Sequence, residues 1–152
     1  MTEIVYLDLC CFKRPFDDAT RDRVRREAEA VTGILDAAAR GIFRLVRSPA
    51  HDFENDRNPR EDRRLATSLW LDAASIRLSA SRQAATRARE LATLGFGPLD
   101  ALHLAFAEQS AAKWFATTDD ALLKRALTHR AQLRVDVLGP DQIPLPAGEQ
   151  QP

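Results

Sequence analysis

Cysteine is scarce in this chain. Its 152 residues include two, Cys10 and Cys11, side by side. Neighbours in sequence rarely pair with each other, and no third cysteine offers a partner. A disulfide framework is therefore excluded, and a reducing, intracellular setting is expected. No uncharged apolar stretch approaches the ~20 residues that span a bilayer. Nor does a signal peptide open the chain: residues 1–7 are a short apolar run interrupted by Glu3 and ended by Asp8. The expectation is a soluble, cytoplasmic protein with no membrane partner. Charge of one sign is also lacking, since 22 basic residues balance 22 acidic ones. Any attraction for nucleic acid must then come from a local surface. Basic residues do cluster, at 21–26 and 57–64, and each cluster reads equally well as a solvated helix face. Two catalytic signatures are missing as well. No Gly-x-Gly-x-x-Gly follows the first apolar run, which disfavours dinucleotide binding. No Gly-x-Ser-x-Gly elbow and no Cys–His–acid grouping supplies a side-chain nucleophile.

What remains is the size and pattern of one domain, large enough to bury roughly two-thirds of its unfolded surface. Residues 1–140 read as that domain, and 141–152 as a loosely ordered C-terminal tail rich in proline. Residues 4–7 read as a strand. The apolar stripe Val24, Ala28, Val31, Leu35 and Ala38 predicts a helix over 22–40, stopped by Gly41. A strand follows over 42–46. Ser48-Pro49 is a helix start, because serine caps and proline suits the first turn. Further helices are predicted over 60–74, from 82 to Gly95, from Gly97-Pro98 onward, and from Asp119 to about 130. Strands are predicted at 76–78, 114–116 and 133–138. Alternating strands and helices imply a parallel sheet covered on both faces.

The acidic residues fall at telling places. Asp8 ends the first strand. Glu54 lies in the helix after the second strand, with Asp52 and Asp56 as rivals. Asp100 sits in the first turn after Pro98, and Asp119 follows the strand at 114–116. In an open parallel sheet the crevice lies beyond the carboxyl ends of the strands, so all four have a route to one spot. Crowded carboxylates repel unless a cation sits among them or their pKa values rise. Hard cations such as Mg²⁺ or Mn²⁺ take oxygen ligands of this kind. Each acid has a duller reading too. Aspartate caps helices, and acids in a first turn suit the helix dipole.

Three segments carry a resemblance: Tyr6-Leu-Asp-Leu-Cys-Cys-Phe12, Pro98-Leu-Asp-Ala-Leu-His-Leu-Ala105 and Phe115-Ala-Thr-Thr-Asp-Asp-Ala-Leu-Leu123. In this order and spacing the chain resembles the PIN-domain family over about residues 3–138. That resemblance implies a three-layer α/β/α sandwich with a mostly parallel central sheet. It also implies a Mg²⁺- or Mn²⁺-dependent ribonuclease acting on RNA. Many bacterial relatives resemble VapC toxins, which implies a small antitoxin protein as partner and a homodimer as assembly. Asp8, Glu54, Asp100 and Asp119 match the family's acidic positions, with Asp8, Asp100 and Asp119 as metal ligands. Thr117 matches the supporting hydroxyl residue. Two positions after Asp8 the family often has Ser, Thr or Asn, and here stands Cys10, a weaker hydrogen-bond donor. The 12–18 loop is also longer than in many such toxins.

Other residues have two readings each. His103 shares a helix face with Asp100 and reads as a satisfied buried histidine or as a partner of a site carboxylate. Lys13 and Arg14 are loop charges or phosphate contacts. Cys10 reads as a small buried side chain rather than a nucleophile or metal ligand, and Trp70 and Trp114 as core rather than base-stacking platforms. Two rival functions stand beside the nuclease. A haloacid-dehalogenase-type phosphatase needs a second aspartate at position 10, where Cys10 stands. A non-catalytic module of the same fold would bind RNA or protein and use the acids as caps.

Overall fold

The computed structural model describes residues 2–145. Five strands form one sheet: β1 (Glu3–Leu7), β2 (Phe43–Arg47), β3 (Ile76–Arg77), β4 (Trp114–Ala116) and β5 (Asp136–Leu138). Their spatial order is β3-β2-β1-β4-β5, and every pairing is parallel. The chain thus builds outward from β1 in one direction, then crosses to the other side of β1 for β4 and β5. This reversal makes the carboxyl ends of β1 and β4 the point where such sheets bind ligands.

Alternation along the strands sorts the side chains onto two faces. Tyr6, Val46 and Phe115 face one core. Helices α5 (Arg82–Thr93), α6 (Pro98–Gln109) and α7 (Asp120–Thr128) close it with Leu91, Leu104, Phe106 and Leu122. Val5, Leu7, Leu45 and Ala116 face the other. There α1 (Leu9–Lys13), α2 (Asp22–Ala39) and α4 (Glu61–Asp72) add Leu9, Phe12, Val31, Ile34 and Leu71. The result is an α/β/α sandwich. Helix α3 (Pro49–Asn55) leads off β2 and inserts Ala50 into the Tyr6 core. Trp114 is buried, and Trp70 stacks on Phe12.

Three boundaries differ from the pattern in the sequence. The segment after β1 is not a loop throughout. Asp8 caps α1, and residues 14–16 make a 3-10 turn. Arg14, on that turn, pairs with Asp17 and with the buried Glu27 of α2, both at 2.9 Å. It is not a free loop charge. The last strand begins at Asp136 rather than 133, because residues 130–132 form a second 3-10 turn. Of the segment 141–152, residues 146–152 lie outside the described residues. Pro140–Gln142 form a third 3-10 turn, and Ile143 is buried in the core that α2 closes.

Helix α5 leaves through Gly95, whose φ of +99° is open to glycine and strained for other residues. A β-carbon there would also fall 2.3 Å from the guanidinium of Arg125. That side chain is flexible and can swing aside, so backbone strain dominates. Gly95→Ala is expected to lower stability by about 1–2 kcal/mol. A denaturant midpoint unchanged from wild type would contradict this.

Candidate metal centre

The ladder between β1 and β4 sets the first acid and its hydroxyl partner. Leu7 pairs with Ala116, and the next amide, Asp8 N–H, donates to the Ala116 carbonyl at 2.8 Å. Asp8 and Thr117 therefore leave the sheet side by side. The Thr117 hydroxyl donates to Asp8 Oδ2 at 2.8 Å, while Asp8 Oδ1 accepts the Leu9 amide at 2.8 Å. Cys10 approaches the same Oδ2 through its thiol, at 3.4 Å, and lies 3.4 Å from Thr117 Oγ1. Its sulfur also accepts the Thr118 amide. Cys10 is only partly buried and serves as a weak polar link between the two strand ends.

Asp119 caps α7, its Oδ1 accepting the amides of Ala121 at 2.9 Å and Leu122 at 3.2 Å. Its own amide donates to Thr117 Oγ1 at 3.1 Å. The capping reading of Asp119 is thus correct as far as it goes, and one oxygen is left outside the cap. From α2, Arg23 binds both oxygens of Asp120 and the Thr118 carbonyl, which fastens the turn that carries Asp119.

Asp100 occupies the first turn of α6, half-buried. Burial pushes its carboxyl up to about 6, and repulsion from Asp8 and Asp119 adds to that rise. Asp8 is also held above the ordinary carboxylate range. Burial is the main cause, with a further push from Glu54 and a partial offset from His103 and Thr117. Asp100 therefore lies within the fields of Asp8, Asp119 and Glu54, and Asp8 within that of Glu54.

Glu54 comes from α3 and is fixed by His103, whose Nε2 lies 2.9 Å from Glu54 Oε1. Its rivals do not share this position. Asp52 is paired with Arg47 at 2.7 Å, and Asp56 is exposed. Donor atoms of Asp8, Glu54 and His103 lie within 4.8 Å of one another, close enough to share one ion. His103, however, has its other nitrogen 2.6 Å from the Tyr6 hydroxyl, so both ring nitrogens are already engaged. Both sequence readings of His103 hold at once: it is fully buried, and it binds a site carboxylate.

Beneath the acids lies a group the sequence did not reveal. Tyr6, 42 residues from Ser48 and 97 from His103, bonds both, at 2.7 Å and 2.6 Å. Its ring stacks on His51 and on Phe115. His51 accepts the Ser48 amide at Nδ1 and donates from Nε2 to the Leu7 carbonyl at 2.7 Å. This ties α3, and with it Glu54, to the end of β1. The only trace in the sequence is a helix start at Ser48 with a hydrogen-bonding residue three positions on.

A family model for the PIN domain matches residues 5–127. The chain belongs to the PIN-domain family. The match covers the ends of β1 and β4 and all four acids. The PIN fold is a nuclease fold whose members generally use divalent metal. No curated protein matches the chain. Among the described residues, no helix is long and apolar enough to cross a membrane.

His51 predicts an acid response. Burial holds its pKa down to about 3, against ~6.5 when unfolded. Between these values the unfolded state binds the extra proton. The contribution of His51 is therefore intact above pH ~6.5 and declines as pH falls, by up to about 1.4 kcal/mol per unit. Asp8 and Asp100, with raised values, act in the opposite sense. The difference between wild type and His51→Gln isolates the imidazole. Urea unfolding at pH 7 and pH 5 should show the stability gap between the two narrowing at the lower pH. A constant gap would count against a neutral buried His51.

Proposed function

We propose that this PIN domain is a divalent-metal-dependent ribonuclease that hydrolyses RNA phosphodiester bonds. Asp8, Asp100 and Asp119 would hold Mg²⁺ or Mn²⁺, and Glu54 would be the fourth catalytic acid. The observation that carries the reading is how the acids are paired. Among the described residues, no lysine or arginine forms an ion pair with Asp8, Glu54, Asp100 or Asp119. Elsewhere the fold supplies arginine to its acids freely: Arg14 and Arg23 to Glu27, Arg47 to Asp52 and Asp72, Arg87 to Glu108. A set of carboxylates running from buried Asp8 to exposed Asp119, with His103 on Glu54 but no arginine or lysine on any of the four, suits an added cation, and carboxylate oxygens suit a hard one.

A bound divalent cation supplies the Lewis acidity that activates water and stabilises charge on the phosphate. The chain's own residues do the rest. Thr117 and the α1 amide fix Asp8, the α7 amides fix Asp119, and the start of α6 presents Asp100. Glu54 Oε1 is held by His103, which leaves Oε2 to orient or deprotonate water. Cys10 is a link between Asp8 and Thr117 and takes no part as nucleophile.

RNA as substrate, a cytoplasmic location, a role as the toxin of a toxin–antitoxin pair, a small antitoxin and a homodimer are parts of the same proposal. They rest on the resemblance of the three motif segments to VapC-like members. Residues 1–140 would be the nuclease unit and 141–152 its tail.

Asp8→Asn is the decisive variant. Asparagine keeps the acceptor for the Leu9 amide, so the fold should persist. Metal-free stability should match or exceed wild type, because a repelled buried charge is gone. Cleavage of RNA with Mn²⁺ should fall by more than about 100-fold, since even residues behind metal ligands are commonly worth ~10–100-fold. Mn²⁺ at about 100 times its Kd should stabilise the wild type by about 2.7 kcal/mol and the variant far less. A fully active variant would overturn the assignment. A wild type that neither cleaves RNA nor gains stability with Mn²⁺ would instead favour the non-catalytic binding module.

A further inference from the structure

We infer that His103 is a positioning residue: a buried chain of hydrogen bonds, Ser48–Tyr6–His103, orients the Glu54 carboxylate. This rests on the nuclease reading above and specifies how one part of its site works.

A carboxylate can only accept, so the 2.9 Å contact between His103 Nε2 and Glu54 Oε1 requires the hydrogen on Nε2. In a neutral imidazole Nδ1 is then an acceptor. Tyr6 donates to it at 2.6 Å, and the Ser48 hydroxyl donates to the Tyr6 oxygen at 2.7 Å. With the imidazole neutral, each hydrogen in the chain has one assignment, running from β2's end through β1 and α6 to α3. Ser48, Tyr6 and His103 are all at most 1 % exposed. Water does not compete for these bonds, and alternative rotamers would leave buried polar atoms unpaired.

The same count argues against His103 as a metal ligand. Its Nε2 carries a hydrogen and has no in-plane lone pair to offer, and its Nδ1 lone pair accepts from Tyr6. A cation could take either only by breaking the chain. The geometry therefore gives His103 to Glu54. One carboxylate oxygen is pinned, and Glu54 cannot rotate freely toward Asp8. Its role as a water-orienting group then depends on His103, while the hold on metal by Asp8, Asp100 and Asp119 does not.

The test compares His103→Ala, His103→Gln, His103→Asn and Tyr6→Phe. Each is measured for kcat and KM on an RNA substrate and for Mn²⁺ affinity by titrated thermal shift. His103→Ala should lower kcat by about 10–100-fold with Mn²⁺ affinity within about threefold of wild type. Glutamine can place an N–H near the Nε2 position and should recover part of the loss. Asparagine, whose amide reaches only the Nδ1 position, should not. Tyr6→Phe should give a smaller loss in kcat. A wild-type kcat in His103→Ala would overturn the proposal. So would a loss of Mn²⁺ affinity that accounts for the loss of rate, which would make His103 a ligand.

Metal affinity also separates folding defects from positioning, because a collapsed site would not bind Mn²⁺. An arm without catalysis covers the case of an inactive wild type, which would refute the nuclease reading alone. The Nε2 proton of His103 should be protected from exchange in NMR spectra and lose that protection in Glu54→Ala. Rapid exchange of that proton in wild type would refute the positioning chain itself.

Discussion

The hydrogen bond from the Asp8 amide to the Ala116 carbonyl extends the β1–β4 ladder one residue beyond the regular strands. Most of what matters in the site follows from that extra rung. It brings two strand ends level, so that the first residues past the sheet, Asp8 and Thr117, meet side chain to side chain. Thr117 then serves two acids at once. Its hydroxyl hydrogen goes to Asp8, and its oxygen accepts the amide of Asp119. Crossover to β4 after β3 is what makes β1 and β4 neighbours, and the helices that follow them, α1 and α7, pack on opposite faces, the arrangement at which open parallel sheets bind ligands.

Holding acids this close opposes the ordinary preference of carboxylates for water. The fold answers with dipoles rather than with charges. Asp8 accepts an amide and a hydroxyl, and Asp119 accepts two amides at a helix start, where the dipole is favourable to an anion. Among the described residues no amide or hydroxyl donates to Asp100, which carries the clearest sign of the crowding, a carboxyl pushed up to about 6. Hydrogen bonds of this kind fix direction without cancelling net charge. A centre built with arginine would be more stable empty and less able to accept a cation, so amide and hydroxyl partners fit an ion-binding role better than ion pairs would.

Much of this frame was legible in the sequence because it is written in local terms. Hydrophobic period, Gly41, Ser48-Pro49 and Gly97-Pro98 mark the helices. Strand ends mark Asp8 and Asp119, and first-turn position marks Asp100. Glu54 was harder. Asp52, Glu54 and Asp56 differ locally only by their angle on one short helix, and which of them turns inward depends on how α3 seats against α6. The partners of Asp52 and Glu54, Arg47 and His103, are what separate them. Tyr6 and His51 were not legible at all. Tyr6 reads as one more apolar residue of β1, and its hydroxyl has meaning only through residues 42 and 97 positions away.

Cys10 shows how such a centre tolerates a departure from the family's habit. A hydroxyl at that point would donate to Asp8 strongly. The thiol donates weakly and from 3.4 Å, yet Asp8 loses little, because Thr117 and the Leu9 amide already hold its two oxygens. The sulfur is larger and more polarisable than oxygen, and it fills the space between the strand ends while still accepting the Thr118 amide. Orientation of Asp8 is thus over-determined, whereas that of Glu54 hangs on a single donor. The two carboxylates differ in the same way in what they would be asked to do. A ligand to a cation is also fixed by the cation, but an acid that directs water has only the protein to hold it, and here that hold is the imidazole of His103.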